Sequence, residues 1–223
     1  MAVKHHSSLT LAEAAHTWPE YIHESFNSAI ISDPSGRDEA VFYGPFTRLL
    51  YSLFSVDGPY EIVPQFTSVA LQARESIDIV AVVVVEVNRH PVFFIQIKPP
   101  ASFPYDSKRE EADEQMRCRF RDLRQVLAIP ILHGISAFGT RLSFYEYHSA
   151  TNVLQPEQVL RFHPSILADV APITRWDCDV LHHEGANRLR NVVNQVKEMS
   201  AQVWGYRFDA KPFVISPVLT SQL

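Results

Sequence analysis

The chain has 223 residues, of which 46% are hydrophobic and 20% charged, and its formal net charge is −5. These values are typical of one globular domain. The negative net charge excludes a protein that attracts nucleic acid through an overall basic charge. Any attraction of nucleic acid must therefore come from a local basic patch. The two cysteines, Cys118 and Cys178, lie far apart in the sequence, which excludes a disulfide framework and a cysteine-rich zinc site. We therefore expect an intracellular protein, cytoplasmic or nuclear. We expect no membrane span and no signal peptide, because the apolar runs are strand-length and the N-terminus has no continuous apolar stretch.

The first quarter of the chain predicts helices. Thr10 and Glu13 have the spacing of a capping box, which indicates a short helix over residues 8–18, and Pro19 begins a second helix over 19–31. A turn is predicted over 32–36. Apolar residues at helical spacing then predict a helix over 37–56, with a kink or a break at Gly44-Pro45.

Strands dominate the middle of the chain. Residues 58–66 predict a short strand near a sheet edge, because Pro64 cannot donate to a ladder. The almost wholly apolar run Ile77–Val87 is typical of a central strand covered on both faces, and Val92–Lys98 is its antiparallel return strand. After the helix described next, we expect two further strands, over 131–139 and 142–149.

Two amphipathic helices are predicted in the second half of the chain. An apolar stripe runs along residues 106–129 with helical steps, formed by Ala112, Met116, Phe120, Leu123 and Leu127. A long helix is predicted over 179–204, with five residues facing inward: Leu189, Val192, Val196, Met199 and Val203. The stretch 152–176 between the two regions shows no firm pattern.

This order of elements predicts an α/β fold, in which one central mixed sheet is flanked by helices. We expect a single domain over 1–223, with N-terminal helices in 1–35, a core over 37–148 and a C-terminal extension over 150–223. The extension carries the long helix.

Three polar side chains are predicted to meet at one end of the apolar hairpin. With a turn at residues 88–91, antiparallel pairing puts Asp78 across from about positions 98 to 101. Gln96 and Lys98 share one face of their strand because side chains alternate. A buried charge costs several kcal/mol unless it is paired. The cluster is therefore a functional site, an Asp78–Lys98 ion pair that caps the sheet, or an end of the strand where Lys98 emerges into solvent.

An acid begins one predicted strand, and Gln96-Ile97-Lys98 lies on the next. The elements around these residues follow the order helix–strand–strand–strand–helix–strand. This arrangement resembles the PD-(D/E)XK nuclease superfamily. The resemblance covers roughly residues 37–148 and is greatest to short nuclease-like proteins of fungal genomes. It implies an αβββαβ restriction-endonuclease-like core with helical additions at both ends. It also implies hydrolysis of phosphodiester bonds in DNA or RNA with Mg²⁺ or Mn²⁺, and a homodimer, since such folds often pair.

The resemblance also implies roles for individual residues. Asp78, Gln96 and a carboxylate from the preceding helix, Glu39 or alternatively Asp38, would hold the metal, and Lys98 would orient or polarise the attacking water. Gln96 stands where the family has an acid, so the site has one anion fewer. An amide oxygen can still ligate Mg²⁺, which prefers oxygen ligands and retains several waters.

The helix over 106–129 adds two further candidates. RecB-like members of the superfamily carry a Gln-x-x-x-Tyr motif on the corresponding helix, and Gln115 matches the Gln while Arg119 stands in place of the Tyr. Gln115 and Arg119 either reach a substrate phosphate or form a solvated helix flank. Two functions follow as hypotheses: a metal-dependent nuclease, or a catalytically inactive protein of the same fold that binds nucleic acid or a protein partner.

Overall fold

The computed structural model describes residues 17–70, 77–159 and 169–205, and within these it describes the backbone alone for 66–70 and 77–81. These parts contain four α-helices and seven β-strands. In chain order they are α1 (Glu20–Ser32), α2 (Tyr43–Phe54), β1 (Glu61–Ala70), β2 (Ile77–Val87), β3 (His90–Lys98), α3 (Asp106–Leu123), β4 (Ile131–Phe138), β5 (Arg141–His148), β6 (Val153–Gln155), β7 (Cys178–Asp179) and α4 (His183–Trp204). None of the helices in these parts is long and apolar enough to span a membrane.

The strands form one mixed sheet in the order β1-β2-β3-β4-β5-β6, and β7 pairs with β5 beside β6. Neighbouring strands are antiparallel except β3 and β4, which are parallel. A parallel pair needs a crossover connection, and α3 supplies it. The prediction of an α/β fold with a mixed sheet flanked by helices is therefore confirmed.

Helices cover both faces of the sheet because the central strands are apolar on both faces. Phe93, Ile95 and Ile97 of β3 pack into the main core with α1, α2 and α4. Phe94, on the opposite face, packs with Met116 and Phe120 of α3. Gln96 and Lys98 have the same parity as Phe94, so both side chains lie on the α3 side of the sheet.

The hairpin has the register that the sequence predicts, since Val82 pairs with Gln96. The turn is tighter than predicted. Asn88 and Arg89 both have positive φ, 51° and 66°, which is the geometry of a two-residue type I′ turn. The start of β2 consequently lies at the same end of the sheet as Lys98.

Several predicted elements differ in detail. Gly44-Pro45 lies within the first turn of α2, where the backbone N–H that proline lacks would have no partner in the helix. The predicted helix over 37–56 is instead divided before Gly44-Pro45, where a 3-10 helix over Glu39–Phe42 ends and α2 begins. The edge strand β1 is longer than predicted, and Pro64 lies in it as expected. Along α4, Val203 is 43% exposed, so its predicted inward position is wrong, and Val193 is buried instead. The predicted helix over residues 8–18 falls almost wholly outside the described residues.

Buried ion pairs fix α3 against the rest of the molecule. The Asp113 carboxylate accepts hydrogen bonds from Arg117 at 2.8 and 3.1 Å, from Arg175 at 2.7 Å and from the Tyr145 hydroxyl at 2.9 Å. Arg109, nearly buried on the same helix, bonds to the carboxylate of Asp169 at 2.8 Å. These contacts set the position of the α3 side chains that face the end of β3.

Candidate functional site

A cleft of about 190 Å³ opens where β3 ends. The side chains of Glu39, Lys98, Lys108 and Glu111 line it together with Pro99, Ser102 and Phe138. Three segments meet here: the 3-10 helix before α2, the end of β3 and the first turns of α3. Two carboxylates and two amines therefore face one small space.

The backbone around Lys98 is held on two sides. Lys98 pairs with Phe138 of β4, and its carbonyl accepts a hydrogen bond from the Gly139 N–H at 3.1 Å. Gly139 has φ +58°, and a Cβ there would lie 3.0 Å from the Cβ of Pro100. Glycine thus allows the β4–β5 turn to approach the Pro99-Pro100 segment that ends β3. The Lys98 side chain is 11% exposed.

Glu39, rather than its neighbour Asp38, faces the cleft. The Asp38 side chain caps the 3-10 helix by accepting from the Ala40 N–H at 2.9 Å. Glu39 accepts a hydrogen bond from the Tyr43 hydroxyl at 2.9 Å. Burial raises the pKa of the Glu39 carboxyl, while the Tyr43 bond and the charge of Lys98 act in the opposite direction. Of the two acids that the sequence offered, Glu39 is the one that lines the cleft.

Glu111 is the residue of the cleft that sequence reasoning missed. Its carboxylate lies 3.6 Å from the Lys98 Nζ and 2.8 Å from the Lys108 Nζ, and its side chain is 17% exposed. The sequence interpretation gave this acid no role in the site. Glu111 lies four residues before Gln115, so both occupy one face of the helix, but only the packing of α3 across the end of β3 brings that face to the cleft.

Gln96 and Gln115 extend this network into the protein interior. The Gln96 Nε2 donates to the Gln115 Oε1 at 2.6 Å, and the Gln115 Nε2 donates to a Glu111 oxygen at 3.3 Å. Both amides are at most 3% exposed. Glu111 can only accept when it is ionised, so it sets the orientation of the Gln115 amide, which in turn sets that of Gln96.

One atom at the inner end of this chain has no partner among the described residues. The Gln96 Oε1 is buried and accepts no hydrogen bond from any described atom. A buried acceptor without a donor costs about 1–3 kcal/mol. The amide oxygen of the Gln-Ile-Lys stretch is therefore an available ligand or acceptor on the α3 side of β3.

The remaining predicted site residues are placed differently. Asp78 lies in β2 and pairs with Val69, and its side chain is outside the described atoms. Arg119 hydrogen-bonds to the Gln65 side chain of β1 and does not line the cleft. Burial lowers the pKa of Arg119. The structure thus brings Glu39 and Lys98 together in the cleft. Gln96 and Gln115 are linked to the cleft through Glu111, whereas Arg119 lies apart from all four.

The cleft contains two carboxylates, those of Glu39 and Glu111, and carboxylate oxygen is a donor type that Mg²⁺ and Mn²⁺ accept. The Gln96 amide oxygen is of an accepted type as well, but Gln96 is not among the residues that line the cleft. Among the described residues, no three His, Cys, Asp or Glu side chains form a group that could hold a metal. Such a cation would therefore depend on two carboxylates, the amide and water, or on Asp78 as well.

Comparisons with protein-family models, with curated proteins and with solved structures find no match to this chain.

Proposed function

We propose that the protein is a metal-dependent nuclease with a restriction-endonuclease-like αβββαβ core. The observation that carries the proposal is the meeting of the Glu39 and Glu111 carboxylates around the Lys98 amine at the end of β3. The order α2-β1-β2-β3-α3-β4, with β3 parallel to β4, agrees with the topology that the resemblance implies. Glu111 would supply the negative charge that Gln96 lacks.

Each residue has a defined part in this proposal. Glu39, Glu111 and the Gln96 oxygen would hold the cation, together with Asp78 at the start of β2. When bound, a divalent cation stabilises charge on a phosphate and lowers the pKa of a water. Lys98 orients the attacking water through its amine, which Glu111 keeps close to the carboxylates. Tyr43 holds the Glu39 side chain by donating its hydroxyl hydrogen bond.

A second function is favoured by the ion pairs of Glu111. Its carboxylate already has two lysine partners, at 2.8 and 3.6 Å, which neutralise the charge that a cation would need. A protein that kept the fold and lost catalysis would have such a self-contained cleft. It would bind nucleic acid or a protein partner without cleaving a bond, and a homodimer remains part of this alternative as well.

The experiment is cleavage of supercoiled plasmid, single-stranded DNA and RNA in the presence of Mg²⁺ or Mn²⁺. We expect the wild type to cleave at least one substrate, and we expect Lys98→Met and Asp78→Asn to lower the rate by about 100-fold or more. Lys197→Met is the matched control, because Lys197 is also partly buried but lies on α4, outside the cleft.

Two outcomes separate the functions. Cleavage that persists unchanged in Lys98→Met contradicts the assigned site. Absence of cleavage with all three substrates, combined with retained binding to one of them in a gel-shift assay, supports the inactive protein.

A further inference from the structure

A larger cavity, of about 500 Å³, lies at the opposite edge of the sheet from β1. It is bounded by β5, by the end of β6, by the segment that leads into β7 and by α4. None of its lining residues belongs to the cleft at the end of β3. Its volume is within the range of small-molecule sites, about 300–1,000 Å³.

The cavity coincides with a gap in the pairing of β5. β7 pairs with Arg141 and Leu142, and β6 pairs with Glu146, Tyr147 and His148. Among the described residues, 17–70, 77–159 and 169–205, no strand pairs with residues 143–145 on this side, although β4 pairs with all three on the other side. The sheet therefore has a short open edge between two paired segments.

The hydrogen bonds at the two ends of β5 show which residue faces the gap. The Val180 N–H donates to the Thr140 carbonyl at 2.9 Å on the outer side, and the Ser149 N–H donates to the Pro130 carbonyl at 2.9 Å on the β4 side. Backbone groups alternate between the two sides of an antiparallel strand, so even-numbered residues of β5 point outward. Phe144 accordingly directs both its N–H and its carbonyl to the open outer edge of β5, and Phe144 is one of the residues that line the cavity.

A buried histidine adds a polar group that the described residues leave unpaired. His133 of β4 lines the cavity, is 3% exposed, and its Nε2 makes no hydrogen bond with any described atom. Burial lowers the pKa of His133, with the Glu146 charge acting in the opposite direction, so the ring is neutral at pH 7. A neutral imidazole nitrogen either accepts or donates one hydrogen bond.

The charged side chains that line the cavity are those of two arginines and two acids, so their formal charges cancel. Arg188 bonds to Asp177 at 3.0 Å, and Arg175 bonds at 2.7 Å to Asp113, which is not among the lining residues. Glu146 bonds to His148 at 3.1 Å. The rest of the polar lining consists of neutral groups, and its amides are Gln155, Asn191 and Gln195. This lining favours an uncharged polar ligand over a phosphate or a carboxylate.

We propose that the cavity binds a planar, uncharged heterocycle of the nucleobase class, whose edge pairs with the backbone N–H and carbonyl of Phe144. A donor beside an acceptor is the pattern that a nucleobase edge presents. An extended peptide needs open residues at every second position, and here the neighbouring outward residues, Leu142 and Glu146, are already paired. The planar guanidinium of Arg188, 4.3 Å from the Phe144 ring centroid, offers a surface on which a base can stack.

This binding site is independent of catalysis at the cleft, so the two proposals can fail separately. The test is amide hydrogen exchange by NMR on the full chain, with and without adenosine, guanosine, cytidine or uridine at millimolar concentration. In the free protein we expect the Phe144 amide to exchange faster than the amides of Leu142 and Glu146. A nucleoside at about ten times its Kd should slow exchange at Phe144 by about tenfold.

Two substitutions at consecutive exposed positions of α4, only one of which lines the cavity, provide the control. Gln195→Trp places an indole at the mouth of the cavity and should abolish the protection of Phe144 by nucleosides. Asn194→Trp introduces the same side chain at an exposed position outside the cavity lining and should leave the protection unchanged. The proposal is overturned if none of the four nucleosides slows exchange at Phe144, or if the Phe144 amide is already protected in the free protein.

Discussion

Asp113→Asn is expected to be among the most destabilising conservative substitutions in α3. The Asp113 carboxylate is 5% exposed and contacts two guanidinium groups, those of Arg117 and Arg175, whose side chains are 10% and 9% exposed. Asparagine has nearly the same shape and keeps one oxygen that can accept from Tyr145. It removes the negative charge, however, so two nearly buried cations lose their counterion.

The magnitude follows from these contacts. Removing one partner of a buried ion pair costs about 3–5 kcal/mol, because the remaining charge is desolvated and unpaired. Arg175 and Arg117 keep bonds to the carbonyls of Glu157 and Pro156, at 2.9 and 2.8 Å, which offset part of this loss. We therefore expect a loss of about 3 kcal/mol in the free energy of unfolding, a large part of the 5–15 kcal/mol of an ordinary domain.

Urea unfolding monitored by circular dichroism measures this loss. The matched control is Asp122→Asn, since Asp122 is exposed on the same helix and should change the free energy by less than about 0.5 kcal/mol. A loss below about 1 kcal/mol for Asp113→Asn, with an unchanged m-value, would refute the reasoning. It would mean that the two guanidinium groups reach solvent without the carboxylate.

Three further predictions concern single residues near the two cavities. Burial raises the pKa of Glu39, so the folded state binds its proton more tightly than the unfolded state and loses stability as the pH rises through the raised value. The stability of Glu39→Gln relative to the wild type should therefore increase between pH 4.5 and neutral pH, and a difference that does not vary with pH contradicts this. Gly139→Ala should lower the free energy of unfolding by about 1–2 kcal/mol, because residue 139 has φ +58° and a Cβ would press on Pro100; an unchanged urea midpoint is the opposing result. Burial lowers the pKa of His133, so below pH 6.5 the unfolded state takes up a proton that the folded state does not, and the wild type should lose stability there. His133→Gln should lose less over the same range, and parallel pH profiles contradict the assignment.

The hairpin shows how much of this fold can be predicted from sequence. A continuous apolar run with a polar turn determines two adjacent strands, and alternation then assigns Gln96 and Lys98 to one face. The amphipathic stripe of α3 likewise predicts which side meets the sheet. These are local patterns, and the structure bears them out.

Features that depend on distant residues could not be predicted in this way. Glu111 looks like one acid among several on a charged helix, and its place in the cleft depends on how α3 crosses the end of β3. Arg175 lies in a stretch without any periodic pattern, so nothing in the sequence links it to Asp113. The open edge at Phe144 arises from the separate pairing of β6 and β7, two strands of three and two residues that are too short to leave a signal.

Binding of Mn²⁺ measured by titration calorimetry on the full chain is the most direct test of the claim that the cleft at the end of β3 is a metal site. We expect the wild type and Glu114→Gln, an exposed control on α3, to bind the cation with the same affinity. Glu39→Gln and Glu111→Gln should each weaken binding by about tenfold or more, because each removes one of the two carboxylates in the described cleft. Equal affinity in all four proteins, or no detectable binding by the wild type, would contradict the claim.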